Sequence, residues 1–439
     1  MENYIGKIVS PYNEKESIDF ACINISDNRV EIEFSSSEQG NDNIKIIIGV
    51  FNGLGKVTLV NCQNVKTLSG PGANIKKYRA KYLFKGEYIN NPESFYFDRV
   101  NIEMTGLLEW TNISAINNKL IKEKKLTIED ISPIKIYESN KFSLEIFSFY
   151  KNTFKRENNQ ITIKENIGLK IISANGDINI WEFLILIKEI KKLFFIISNI
   201  NTKIDRTNFY QNKEFPVTLY WLDNNPLGSP SPLNPNVKFE DIIHDLSNIV
   251  HNWFEKKDLH TSVELILEKS INNSLSRENF FLNNCFAIET FHRRFKNYKL
   301  FDKTKFKSIK AGILNSIKDS DIRKLIENNL AHINEPNFRK RMSDFESDFS
   351  YLLPKSWNVE EYLTKIVKTR NYLVHRSSKN KTFEELDLFY ASVFVETVVK
   401  INIFRILGIK EIIIEKLIVE TAEKIKEFYE LNKRMRFEN

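Results

Sequence analysis

Pro226-Leu227-Gly228-Ser229-Pro230-Ser231-Pro232-Leu233-Asn234-Pro235 separates two parts of this 439-residue chain that differ in their hydrophobic pattern. Proline recurs there too often for a helix or a central strand, so the stretch predicts a linker. Before it, apolar and polar residues alternate as in half-buried strands; after it, apolar residues recur at helical spacing. We therefore predict a two-domain α+β chain, with a β-rich, sandwich-like domain at 1–228 and an all-α helical bundle at 237–439.

Strand alternation in the first domain is clear at residues 30–34 and 100–104. Turn-forming clusters such as Asn41-Asp42-Asn43 and Gly70-Pro71-Gly72 separate these runs. One helix interrupts the pattern and is predicted at residues 180–198, where we expect it to pack on the sheet.

A long core helix is predicted in the second domain at residues 383–407. Thr382 and Glu385 can form a capping box at its start, and Gly408 can adopt the left-handed conformation at its end. Glu396 and Lys400 are spaced as an i, i+4 ion pair. Charged residues interrupt the apolar run, so a membrane span is not expected.

Composition indicates an intracellular protein. The net charge of +7 suits a polyanionic partner without proving one. The three cysteines are too few and too far apart for a disulfide framework or a Cys-x-x-Cys zinc site. The first residues lack a basic patch followed by an apolar stretch, so no signal peptide is predicted and the expected location is the cytoplasm.

The segment Lys368-Thr369-Arg370-Asn371-Tyr372-Leu373-Val374-His375-Arg376 combines three side chains that can act on a phosphodiester. Asn358 can cap the helix that carries them, and Arg370 falls on its apolar stripe, where a guanidinium needs an anionic partner or a path to solvent. Asn371 and His375 share a helix face, and Arg370 lies about 100° from Asn371. The three polar groups can therefore converge.

Positive charge is concentrated around this segment. Residues 365–381 contain no acidic side chain. By itself, a run of basic residues is typical of a solvated helix face. Because this run coincides with Arg370 and His375, it indicates phosphate binding. The basic residues are Lys365, Lys368, Arg370, Arg376, Lys379 and Lys381.

Arg-x4-His with an asparagine after the arginine resembles the signature of HEPN-domain ribonucleases, here in a context similar to the ApeA-like anti-phage branch. The resemblance extends into both predicted domains. The segments that carry it are Phe280-Phe281-Leu282, Ala287-Ile288-Glu289-Thr290-Phe291-His292-Arg293-Arg294 and Phe404-Arg405-Ile406-Leu407-Gly408-Ile409 in the second domain, and Gly55-Lys56-Val57-Thr58-Leu59-Val60 and Thr105-Gly106-Leu107-Leu108-Glu109-Trp110 in the first.

The resemblance implies a metal-independent endoribonuclease of an abortive-infection system, without a cofactor. His375 would be general base or acid, Arg370 would neutralise phosphate charge, and Asn371 would hold the phosphate or the imidazole. Glu289, on an earlier helix, would orient Arg370 or Asn371. The residues expected to contact substrate are Lys368, Tyr372 and Arg376.

It also implies partners. The substrate would be RNA, for instance tRNA or another structured RNA with exposed loops, and the products would carry 2′,3′-cyclic phosphate ends. A homodimer or higher homo-oligomer would bring two motifs to one cleft. The first domain would sense a phage-derived trigger and restrain the nuclease until infection.

Two other functions fit the same residues. The chain can be a non-catalytic RNA- or nucleotide-binding HEPN module, in which Arg370 and His375 hold a ligand. It can also be a β-sandwich ligand-binding protein whose helical half only dimerises. A purely structural interpretation also stays open, in which Arg370 and His375 only close a helix or pair with neighbouring acids.

Other polar groups favour simpler interpretations. His292 beside Arg293 and Arg294 predicts a basic surface patch, and His332 a polar helix end. Gly53-Leu54-Gly55-Lys56 lacks the upstream glycine and the Ser or Thr of a phosphate-binding loop, which excludes that motif. A metal site is not expected among Asp241, His244, Asp245 and His251, which are too widely spaced to converge.

Overall fold

A computed structural model describes residues 2–13, 15–26, 29–37, 43–70, 73–114, 116–118, 126–128, 131–155, 160–212, 215–221, 231–272, 274–296, 298–330, 333–376 and 382–437. The chain divides into two compact units, Met1–Leu227 with Lys238–Val250, and Gly228–Val237 with His251–Asn439. Residues 226–230 of the proline-rich stretch lie outside the described ranges. A domain division at 228 and 237 therefore stays a prediction.

The first unit is built from antiparallel strands. The described strands are β1 (Glu2–Val9), β2 (Ser17–Ser26), β3 (Arg29–Ser36), β4 (Ile44–Phe51), β5 (Gly55–Gly70), β6 (Ala73–Lys85), β7 (Tyr96–Phe97), β8 (Arg99–Thr105), β9 (Ile116–Asn118), β10 (Leu126–Ile128), β11 (Ile134–Glu138), β12 (Phe142–Lys155), β13 (Gln160–Ser173), β14 (Ile178–Asn179), β15 (Lys203–Tyr210) and β16 (Val217–Trp221). Among the described residues, twelve of these strands form one sheet in the order β11-β12-β13-β8-β15-β16-β6-β3-β2-β1-β4-β5, and β9–β10 and β7–β14 pair separately.

Six of these strands close into a barrel, because β6 pairs with both β3 and β5. Alternate residues of each strand point inward, as the pleat requires, and form one apolar core. In β3 these are Val30, Ile32 and Phe34, all at most 2% exposed. The β-rich first domain is confirmed, and its sheet closes on itself at one end.

Among the residues described for the strand region, two α-helices are present. The short α1 (Leu107–Thr111) precedes α2 (Ile180–Ser198), which the sequence predicted at the same residues. Asn179 and Glu182 form a capping box that begins α2. Trp181 contacts the Tyr82 ring on β6 at 5.4 Å between centroids, so α2 packs on the sheet.

From Phe239 onward the described elements are all helices, as predicted. The helix α12 (Glu385–Leu407) is buried along most of its length and packs against α5 (Leu259–Ile271), α6 (Arg277–Phe295) and α13 (Glu411–Phe437). The helices are α3 (Phe239–Ile242), α4 (Leu246–Glu255), α5 (Leu259–Ile271), α6 (Arg277–Phe295), α7 (Lys303–Asn315), α8 (Ser320–Leu330), α9 (Phe338–Ser343), α10 (Glu346–Leu352), α11 (Val359–His375), α12 (Glu385–Leu407) and α13 (Glu411–Phe437).

The start of α12 corrects one prediction. The helix begins at Glu385 without a side-chain cap, so the Thr382 capping box is wrong. The backbone N–H of Phe383 donates to Thr369 Oγ1 at 2.9 Å, and the Phe383 ring is buried against Tyr362. These contacts with α11 hold the chain extended just before α12.

The other local predictions for α12 are confirmed. Glu396 and Lys400 form a buried ion pair of 2.7 Å, and Gly408 ends the helix with φ +89°. In the part of the chain that the structure describes, no helix is long and apolar enough to cross a membrane.

Candidate active site

The motif lies on α11, whose two ends are set by local chemistry. The Asn358 side chain accepts a hydrogen bond from the Glu361 N–H and caps the start, as predicted. At the other end Arg376 adopts a left-handed conformation, φ +51°, and its N–H bonds to the Tyr372 carbonyl. His375 is therefore the last helical residue.

Arg370 is held from several sides. Its Nη2 donates to Glu289 Oε2 at 3.5 Å, and its side chain is 20% exposed. The guanidinium carbon lies 5.3 Å from the Phe338 ring centroid and 6.0 Å from that of Phe286. The anionic partner that the apolar stripe required is thus Glu289 on α6.

Arg370 also reaches round α11, because its Nη1 donates to Asn371 Oδ1 at 3.2 Å. His375 is exposed, one turn beyond Asn371. Arg370 and His375 lie about 140° apart around the helix, with Asn371 between them. Within the described residues, His375 makes no hydrogen bond or ion pair.

Glu289 is shared between two cations. Its Oε1 accepts from Arg293 Nη2 at 3.1 Å while Oε2 faces Arg370, so two guanidiniums flank one carboxylate. Arg293 also contacts Glu335 at 3.5 Å. Arg293 was not among the predicted site residues, although its i, i+4 spacing from Glu289 on a helix was a usable signal.

The residues predicted to contact substrate share the His375 side of α11. Lys368, Tyr372 and His375 recur at intervals of four and three, which places them on one face. Lys368 is exposed, and the Arg376 guanidinium lies 6.0 Å from the Tyr372 ring centroid. Lys379 and Lys381, predicted to extend this positive charge, lie outside the described residues.

His292 corrects the predicted basic surface patch. It is fully buried, with Nε2 2.8 Å from Asp344 Oδ2 and Nδ1 2.8 Å from Arg341 Nη1. Arginine can only donate, so Nδ1 accepts and the imidazole is neutral. Burial lowers the pKa of His292, which agrees with that form. Its partners lie about fifty residues away along the chain, where no local pattern could reveal them.

Asp344 and Arg341 complete this buried group. Arg341 is 2% exposed, and burial lowers its pKa. Burial raises the pKa of Asp344, but hydrogen bonds from His292 and Tyr298 outweigh that effect and leave the pKa below its usual value. Arg341 Nη2 lies 3.9 Å from Glu335, which connects this group to Arg293 and hence to Glu289.

We expect the stability of the chain to fall as the pH drops below about 6.5. The pKa of His292 is lower in the folded chain than in the unfolded one, so the unfolded state binds more protons between the two values. The stabilisation is complete above about pH 6.5 and is lost as pH falls through that window.

Urea unfolding followed by far-UV circular dichroism at about pH 7.5 and about pH 5.5 measures this. His292→Asn, which keeps an acceptor for Arg341 and does not titrate, should show a smaller loss between the two pH values. If the free energy of unfolding fell equally in the wild type and in His292→Asn, His292 would not be the group responsible for the pH dependence.

The remaining sequence candidates do not form a centre. Within the described ranges, no group of three or more His, Cys, Asp and Glu side chains is placed to hold a metal ion. His332 lies outside the residues that the structure describes.

Comparison with known families gives two matches. Residues 7–253 match the model of ApeA N-terminal domain 1, and residues 282–412 match that of the Apea-like HEPN domain. Glu289, Arg370, Asn371 and His375 all fall within the second match. No curated protein and no solved structure matched the chain.

HEPN domains are generally ribonucleases, and the two matches support a nuclease-like role in anti-phage defence. The first match alone covers more than half of the sequence. The chain therefore belongs to the ApeA family, with an ApeA N-terminal domain followed by an ApeA-like HEPN domain.

Proposed function

We propose that this protein is a metal-independent endoribonuclease of an anti-phage abortive-infection system. The observation that carries the proposal is the arrangement on α11: a guanidinium fixed by Glu289 and bonded to Asn371, with an exposed imidazole one turn further on. Such an arrangement offers a cation for a phosphate and a proton carrier beside it.

In the proposed reaction a ribose 2′-hydroxyl attacks the adjacent phosphorus. The new P–O2′ bond forms as the P–O5′ bond breaks, which leaves a 2′,3′-cyclic phosphate and a 5′-hydroxyl. His375 takes the proton of the 2′-hydroxyl or supplies one to the leaving 5′-oxygen. Arg370 neutralises charge growing on the phosphate oxygens, and Asn371 hydrogen-bonds the phosphate.

One motif supplies one imidazole, whereas this reaction is served best by a base and an acid. We propose that two copies of the chain meet about a two-fold axis, so that each contributes His375 to a common cleft. The exposure of His375 at the end of α11 is compatible with such pairing. A monomer that cleaves at full rate would contradict the composite site.

RNA with unpaired nucleotides fits the site best, since a backbone must approach α11 closely and exposed loops, as in tRNA, leave bases free. Lys368, Tyr372 and Arg376 would contact it along the His375 face. We propose that the β-rich first domain restrains the nuclease in a healthy cell and releases it on meeting a phage-derived component.

Purified protein, supplied with its phage-derived trigger, should cut total cellular RNA in the presence of EDTA. Because the proposed chemistry uses only side chains, cleavage should not require Mg²⁺, and adding the ion after chelation should act only through folding of the RNA and screening of phosphates. Gel analysis of the products, with enzymatic detection of 2′,3′-cyclic phosphate ends, checks it. Cleavage that requires a divalent ion, or 3′-hydroxyl products, would contradict the mechanism.

A further inference from the structure

A cavity of about 340 Å³ lies at the start of α11, within the helical unit. Aromatic rings form its walls in a nearly continuous series, with centroid distances of 5.0 Å for Tyr362–Phe383 and Tyr390–Tyr429, 5.4 Å for Trp357–Tyr362 and 6.0 Å for Trp357–Tyr429. Tyr362, Phe383 and Tyr390 are buried, whereas Trp357 and Tyr429 are half-buried at the entrance.

Polar groups line the entrance. Glu361 and Asp387 are exposed carboxylates, and Asp387 accepts a hydrogen bond from the Tyr429 hydroxyl at 3.2 Å. The Lys365 ammonium lies 4.4 Å from the Phe383 ring centroid. The cavity thus combines aromatic walls with two carboxylates and one cation.

The entrance continues into the catalytic face of the same helix. Glu361, Lys365, Lys368, Tyr372 and His375 follow one another at intervals of four, three, four and three, so they form one stripe along α11. Lys365 and His375 are about 15 Å apart along the axis. A single RNA strand laid on this stripe would pass two lysines and a tyrosine between the cavity and His375.

We propose that the aromatic cavity is a nucleobase subsite that takes one unpaired guanine of the RNA substrate, a few nucleotides from the bond that is cut. The inference rests on the proposed ribonuclease function. Aromatic walls stack on a base, and the adjacent N1–H and N2–H donors of guanine match the two oxygens of a carboxylate such as Asp387.

The charges favour a base over an organic cation. Aromatic walls with carboxylates are also the chemistry of a quaternary ammonium cage. However, Lys365 places a positive charge at the entrance, which repels a cation and attracts the phosphate next to a bound base. The lysines on the stripe toward His375 likewise attract phosphates and repel cations.

The test measures binding to the otherwise intact His375→Ala protein, so that cleavage does not interfere. The probes are fluorescein-labelled nine-nucleotide oligouridines, either unchanged or with one central guanosine or adenosine, followed by fluorescence anisotropy. We expect the guanosine probe to bind several-fold more tightly than the others. Adding Trp357→Leu should weaken its binding about tenfold, as expected for a lost stacking contact.

Two further variants keep the result interpretable. Asp387→Asn alters an exposed carboxylate, which should leave folding intact, and should remove the preference for guanosine over adenosine. Tyr351→Leu removes an aromatic ring that is 72% exposed and outside the cavity, and should bind like the parent protein. Matching melting temperatures confirm that each variant is folded.

Equal binding of all probes, or a Trp357→Leu protein that is folded and binds like the parent, would overturn the subsite. Tetramethylammonium that competes with the guanosine probe more strongly than sodium at equal ionic strength would instead identify a cation cage. If the wild type does not cut RNA even with its trigger but Trp357-dependent guanosine binding is present, the ribonuclease proposal fails and the subsite stands. If the wild type cuts and that binding is absent, only the subsite fails.

Discussion

Replacing His375 by alanine should lower the rate of RNA cleavage about 10²- to 10⁴-fold, the range that a positioned proton-transfer group contributes. The imidazole is exposed at the last position of α11 and, among the described residues, forms no hydrogen bond or ion pair. Its removal should therefore leave the fold unchanged. Initial rates on one end-labelled RNA hairpin, together with melting temperatures, measure both quantities.

His244→Ala is the matched control, since His244 is also an exposed histidine but belongs to the first compact unit, whereas the motif belongs to the second. It should cut like the wild type. In cells, expression of the wild type with its trigger should arrest growth, and His375→Ala should not. A His375→Ala protein that retains its rate would leave a binding module as the better description of the HEPN domain.

Helix ends were the most predictable part of the fold, because capping chemistry is local. Asn358 caps α11 and Gly408 ends α12 as the sequence predicted. Both ends depend on residues within one turn. The Asn358 side chain accepts a backbone N–H at the start of α11, and Gly408, which has no side chain, can adopt the left-handed conformation that ends α12. The predicted Thr382 capping box of α12 failed because of a contact with a residue far along the chain, the hydrogen bond from the Phe383 backbone to Thr369.

Strand pairing was less predictable, since alternation shows which face of a strand is buried but not which strand lies beside it. β6 pairs with β3 on one side and with β5 on the other, and this double pairing closes the barrel. Nothing in the periodicity of 30–34 distinguishes a barrel from two stacked sheets. The sequence was enough to predict a β-rich first domain, whereas the closing of six strands into a barrel was visible only in the structure.

The candidate site also has a part that the sequence predicted and a part that it did not. The position of Arg370 on an apolar stripe required an anion, and Glu289 supplies it. Burial of His292 with Arg341 and Asp344 depends on segments far apart in sequence and could not be anticipated. The buried His292 group and Glu289 are connected through Arg293 and Glu335, so the fold supports the carboxylate that holds Arg370.

Replacing Arg370 by alanine should lower the cleavage rate about 10²- to 10³-fold, as when one preorganised donor to a developing oxyanion is removed. The loss should appear in the single-turnover rate constant more than in the dissociation constant for RNA, because Lys368 and Arg376 still attract the backbone. Arg370→Lys should recover only part of the rate, since an ammonium lacks the planar fork that bonds Glu289 and Asn371 together.

Loss of Arg370 should not unfold the protein, because Glu289 keeps its 3.1 Å contact with Arg293 and is not left as an unpaired charge. Arg294→Ala is the matched control. It removes from α6 a guanidinium that is 57% exposed and that lies 3.5 Å from the Asp258 carboxylate. That variant should cleave like the wild type. An Arg370→Ala protein with a normal single-turnover rate and a weakened RNA affinity would show that the guanidinium only binds RNA, and the catalytic role assigned to it would be wrong.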